Sequence, residues 1–124
     1  MDYKQFLVEI ENIHTELKKS ITSNPEEIQE RLRYAMVQLA RSSELQATAE
    51  NVLNMKKGEF AQQNKNTVMK EVLYKSLMNY YCCEELNFFT SAERLNKTLV
   101  HYIDGARSLL SYEKEQTRLV SSFK

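Results

Sequence analysis

Near the start of the chain the apolar positions Phe6, Ile10, Ile13, Leu17 and Ile21 step by four, three, four and four. Side chains three and four apart stack on one face of a helix. Leu7 and His14 flank that stripe, and Glu9, Glu11, Glu16, Lys18 and Lys19 fall mostly on other faces. The spacing predicts a first helix over residues 2–21.

The run TSNPEE punctuates the chain next. Asn24 is a good N-cap, Pro25 suits the first helical position because no hydrogen bond needs its missing N–H, and Glu27 completes the spacing of a capping box. The helix it opens carries a seven-residue pattern through Ile28, Leu32, Ala35, Leu39, Ser42, Gln46, Ala49, Leu53, Lys56 and Phe60. Such a repeat describes a helix packed lengthwise against partners. Its middle is small or polar (Ala35, Ala40, Ser42, Ser43, Ala47, Ala49), which allows close approach with little apolar area per residue. Lys56, Lys57 and Gly58 look like a helix stop, yet Phe60 and Ala61 continue the pattern, so the predicted span is 25–61.

Beyond the loop QQNKNT, with Asn66 or Thr67 as cap, helical spacing runs almost to the C-terminus. Thr90 and Glu93 have capping-box spacing, which predicts two helices, 67–89 and 91–120, with one bent helix as the rival reading. The two glycines and one proline of the 124 residues leave few places to turn. Few, long elements follow. The expected fold is all-α: a single helical domain, 1–124, built as an elongated antiparallel bundle of three to four helices with coiled-coil-like packing. The second helix would outrun the first, so its exposed stripes are expected to be covered by the C-terminal helices and by self-association.

Charge narrows the function classes. Seventeen basic and seventeen acidic residues cancel, and the segments 1–21, 22–64 and 65–124 sum to −1, −1 and +2. Nucleic-acid binders usually show a basic excess. The start, MDYKQFLVEI, lacks a signal-peptide pattern, and no apolar run is long enough to span a bilayer. Cytoplasmic residence without membrane contact is the expectation.

The stretch NYYCCEELNFF, residues 79–89, invites a metal or redox reading. Zinc sites need ligands spaced to converge, and neither His14 nor His101 is near in sequence. Glu84 and Glu85 would oppose a reactive thiolate. On a continuous helix Cys83 groups with the apolar face and Cys82 with its border, so both are expected to be packing residues. Glu11 and His14 form a single E-x-x-H pair, half of what a di-iron bundle needs. With two glycines, a glycine-rich phosphate loop is excluded, and no nucleophile elbow is present. No catalytic, cofactor or metal residues are assigned.

What remains is surface. Tyr80, Tyr81, Phe88, Phe89, Leu95 and Tyr102 make an aromatic and apolar face expected to contact protein partners, a second copy included. The expected function is a non-enzymatic interaction or accessory protein, serving as an oligomeric scaffold or adaptor. The alternative is an oligomeric nucleic-acid-associated accessory protein of the kind phages and mobile elements carry. It would use basic residues of the C-terminal helix: Arg94, Lys97, Arg107, Lys114 and Arg118.

Overall fold

The computed structural model describes residues 3–122, which form four helices and no strand among the described residues: α1 (Lys4–Leu17), α2 (Pro25–Gln63), α3 (Glu71–Tyr81) and α4 (Cys83–Ser122). The all-α expectation holds. None of these helices is long and apolar enough to cross a membrane.

At about 1.5 Å per residue, α2 and α4 are rods of nearly 60 Å. They pack lengthwise and antiparallel: Arg31 of α2 donates to the Tyr102 hydroxyl at 3.0 Å, while Asn96 donates to Ser42 Oγ at 3.0 Å. Their seam follows the seven-residue pattern. Ala35, Ser42 and Ala49 are fully buried on α2, facing an α4 stripe in which Phe88, Ala92, Leu95 and Leu99 are also fully buried. Ser42 is the polar member, and it is satisfied, donating to the Leu39 carbonyl at 2.9 Å while accepting from Asn96.

Helix α1 lies against both rods, burying Ile10, Ile13 and Leu17, and Phe6 stacks on Phe88 with ring centroids 5.1 Å apart. Two arginines of α2 tie it down. Arg41 grips the Glu9 carboxylate with two hydrogen bonds, 2.6 and 3.0 Å. Arg31 donates to the Glu16 carboxylate at 3.1 Å and to the carbonyls of Glu16 and Lys19 at 2.6 and 3.3 Å. That last set explains a shorter helix than periodicity predicts. A guanidinium satisfies the orphan carbonyls at the end of α1, so the helix stops at Leu17 rather than 21. The predicted start at residue 2 lies outside the described residues.

The start of α2 matches the sequence reading, with Asn24 Oδ1 accepting from the Glu26 N–H at 3.0 Å. The reciprocal half of the capping box is absent: the Glu27 carboxylate accepts instead from the Thr22 hydroxyl. Helix α2 passes through Gly58 and ends at Gln63, where Asn64 caps the Phe60 carbonyl with both its amide groups, at 2.9 and 3.1 Å.

Two boundaries differ more. The third helix begins at Glu71, not 67, after an extended approach, with Lys70 at the N-cap and no side-chain cap. The break before α4 falls at Cys82, not 88–91. The capping box of Thr90 and Glu93 lies inside α4, because Phe88 and Ala92 on either side of it are both wholly buried on one stripe. A break there would split the core, and burial outweighs a local cap. At Cys82 (φ −100°, ψ 18°) the chain turns so that Tyr74 and Tyr81 both reach Phe60, with centroids at 5.2 and 5.6 Å.

Phe88 is completely buried, so Phe88→Ala is expected to lower stability by about 3–5 kcal/mol in urea unfolding. Hydrogen bonding to Arg41 holds the Glu9 carboxyl below its usual range, although partial burial opposes this. A depressed folded pKa stabilises above the unfolded value and is lost as pH falls through the folded one. Arg41→Ala should therefore cost about 1 kcal/mol or less at neutral pH, since the pair is a third or more exposed. Its deficit should shrink in denaturation curves as pH falls through the depressed Glu9 value.

Candidate interaction surfaces

The six residues expected to form a contact face do not share one surface. Phe88 and Leu95 are fully buried within the chain and unavailable to a partner, because they build the seam against α2. A charged residue at Phe88 would break the core rather than an interface. Phe89 and Tyr102 are half-buried and pack against that core. Tyr81 is held by its own chain: its ring meets Phe60 and lies 4.7 Å from Lys56 Nζ, while its hydroxyl accepts from Gln63 at 3.2 Å and donates to Glu59 at 3.4 Å. Tyr80 alone of the six points outward, at 81% exposure.

Around Tyr80 the structure reveals a surface that the six-residue reading missed. Helix α3 buries none of its eleven residues. Its inner side, with Tyr74, Met78 and Tyr81, is half-buried toward α2, and Val72, Leu73, Leu77 and Tyr80 on its outer side are exposed. Helical spacing of 72, 73, 76, 77 and 80 puts these side chains on one face; Glu71 and Lys75 lie off it, and Lys70, the N-cap, stands at its N-terminal end. Val68, just before the helix, is fully exposed as well. The signal was present in the sequence as two apolar stripes on one short helix, a pattern that a surface helix with one core face does not need.

Cys82 and Cys83 exchange the places that an unbroken helix assigns them. The turn at Cys82 rotates the phase, so Cys82 is buried and Cys83 exposed. Burial pushes the Cys82 thiol above its usual range, with nearby Glu85 adding to the effect. Glu11 and His14 line a polar pocket between α1 and α4 with Asn87, Ser91 and Arg94. Burial lowers the His14 pKa, Lys18 and Arg94 add to that, and Glu11 opposes it. These surroundings favour the neutral imidazole. Among the described residues, no three His, Cys, Asp or Glu side chains come together as a metal would require.

The basic residues of α4 are spread along the rod. Lys97 pairs with Glu93 at 3.4 Å and Arg118 with Glu115 at 2.8 Å, each within its own helix. Arg94 and Arg107 are exposed on different sides, lining separate pockets, and Lys114 is exposed farther along. Similarity adds no identity to this chain: no family model, curated protein or solved structure matches it.

The cysteine pair gives a direct check on the turn at residue 82. Brief alkylation of the folded protein should add one label, at Cys83, and alkylation in denaturant should add two, as read by mass spectrometry. Equal labelling of both in the folded state would contradict the buried Cys82 thiol.

Proposed function

We propose that the chain is a non-enzymatic helical interaction protein, an adaptor or scaffold that works as an oligomer, and that the outer face of α3 docks a protein partner. One observation carries the reading. An isolated helix of eleven residues is marginal in water, yet α3 buries no residue in its own chain and leaves Val72, Leu73, Leu77 and Tyr80 exposed at 79, 52, 40 and 81%. The face carries no charge between Val72 and Tyr80 and is about 16 Å long at helical rise. A matching occupant is an apolar stripe of a partner helix, seated by residues three and four apart. Beyond Lys70 at its N-terminal end, this stripe offers an anionic backbone no cation.

The longer rods serve this role as a frame. An elongated bundle with a coiled-coil-like seam holds α3 at one end and places it away from the remaining surface. Self-association would then present more than one such face, raising avidity without new contacts.

A photo-crosslinking residue in place of Tyr80 should yield, in cells, a covalent adduct with another protein chain. Val72→Asp in the same chain should abolish it. Val72 is exposed, so that substitution is expected to change folding stability by no more than about 0.5 kcal/mol. A nucleic-acid adduct at Tyr80, or no adduct from any position on this face, would sink the reading.

A further inference from the structure

A second apolar surface lies far from α3. On the side of the α2–α4 pair opposite α1, a groove of about 360 Å³ is lined mainly by Met36, Leu39, Ala40 and Ser43 of α2 with Val100 and Ile103 of α4, and α4 adds the charges of Asp104 and Arg107 at one end. Met36 is 47% and Val100 41% exposed. We infer that a second copy of this chain fills this groove, forming a two-fold dimer across the open α2–α4 face. The inference rests on the reading of the chain as a self-associating interaction protein, and it specifies the surface, the symmetry and the stoichiometry.

Area argues for a large partner. The chain exposes 8732 Å² for a mass of 14.6 kDa. A compact monomer of that mass exposes about 6,900 Å². The excess of about 1,800 Å² is more than twice the roughly 800 Å² that each partner contributes to a standard interface. The outer face of one eleven-residue helix is too small to absorb it, whereas the open side of two long rods offers that scale.

Charge and register argue for a copy of the same chain. Glu50 lies seven residues beyond Ser43 on α2, and Arg107 seven beyond Val100 on α4, so each continues the groove-facing row of its helix. Both are exposed, and neither has an ion-pair partner among the described residues; Arg107 makes no pair with Asp104, one turn before it. The Asn96–Ser42 hydrogen bond sets those residues at one height. By that register Arg107 stands level with about residue 31 of α2, and Glu50 lies about 28 Å farther up the rod at helical rise. Their midpoint falls near Ala40, in the middle of the groove. A two-fold axis across the face at that height lays α4 over α4 of the partner and exchanges the two levels, bringing Arg107 of each copy to the height of Glu50 in the other, diagonally across the contact. In an isologous contact every such pairing occurs twice. The axis passes by Ala40 and Ser43, whose small side chains let the backbones approach. With the net charge at zero, no overall repulsion opposes two copies meeting.

Light scattering on the size-exclusion peak tests this. The wild-type chain is expected at twice its 14.6 kDa mass. Ala40→Glu and Ser43→Glu, both at exposed positions, should reduce it to the monomer with far-UV helicity retained. Arg107→Glu should weaken dimerisation by about tenfold, the scale of one interfacial ion pair. Adding Glu50→Arg to it should restore the wild-type affinity. A wild-type monomer at the highest soluble concentration, an assembly that Ala40→Glu leaves intact, or a double variant no better than Arg107→Glu would each overturn the assignment. The α3 reading fails separately. If Val72→Asp alone dissolves the assembly, copies meet through α3 and the groove proposal falls. If Ala40→Glu alone does so while the Tyr80 crosslink is unchanged, the two surfaces are independent and the dimer assignment stands.

Discussion

Close approach of α2 and α4 is the constraint on which the rest of this molecule depends. Three α2 positions seven residues apart, Ala35, Ser42 and Ala49, are fully buried and small. They leave room for the large α4 residues opposite them, Phe88, Leu95 and Leu99, to fill the seam. Small facing large is how a core reaches native density without voids. Within that seam the bond from Asn96 to Ser42 is a directional contact in apolar surroundings. A slip of one turn would take the Ser42 oxygen away from the half-buried Asn96 amide, while Ser42 keeps its own bond to the Leu39 carbonyl. Packing supplies the stability, and one polar pair selects the register.

The other helices are placed by what the seam leaves uncovered. Helix α1 is less than half the length of either rod, so it shields only a middle portion of one side. Its position depends on two guanidinium groups as much as on its apolar stripe: Arg41 fixes the middle through Glu9, and Arg31 fixes the end through Glu16 and two carbonyls. Arg31 also reaches Tyr102 on α4, so one side chain joins three helices. At the far end Phe60 is the anchor on which α3 turns back, through Tyr74 and Tyr81. The opposite side of the rod pair is covered by no helix among the described residues.

Long elements were legible in the sequence because period and punctuation agreed. Asn24 and Pro25 mark a boundary to the residue, and the heptad rows from Ile28 to Phe60 gave the seam of α2 with its small centre. Boundaries set by distant groups were not legible. The end of α1 depends on Arg31, which is remote from it in sequence, and no local signal at residues 18–21 announces that contact. Thr90 and Glu93 have the right spacing for a helix start but lie between Phe88 and Ala92, where tertiary burial overrides local preference. The contact face suffered from the same ambiguity. Phe88 and Leu95 carry the apolar character of an interface, and periodicity alone cannot say whether the surface that covers them belongs to the same chain. Placing the break at 88–91 instead of Cys82 also reversed the two cysteines, since one turn residue shifts the phase of everything before it.

The two uncovered apolar surfaces differ in kind, which argues against their sharing one occupant. The α3 face is short and carries no charge between Val72 and Tyr80, on a helix that buries none of its own residues, so a partner seated there, as proposed, would also stabilise the helix it binds. The groove carries Asp104 and Arg107 at one end, with Glu50 beyond the other, and is built on the closely packed seam of α2 and α4. Rigid surfaces lose little entropy on association, which suits a permanent contact between copies. A marginal helix suits an exchangeable one. In the proposed arrangement the contact between copies sits at mid-rod and the partner contact at an end, so the two would not compete for area. The rods are also longer than the core of a single chain uses: α4 buries nothing after Ala106, although the helix continues to Ser122.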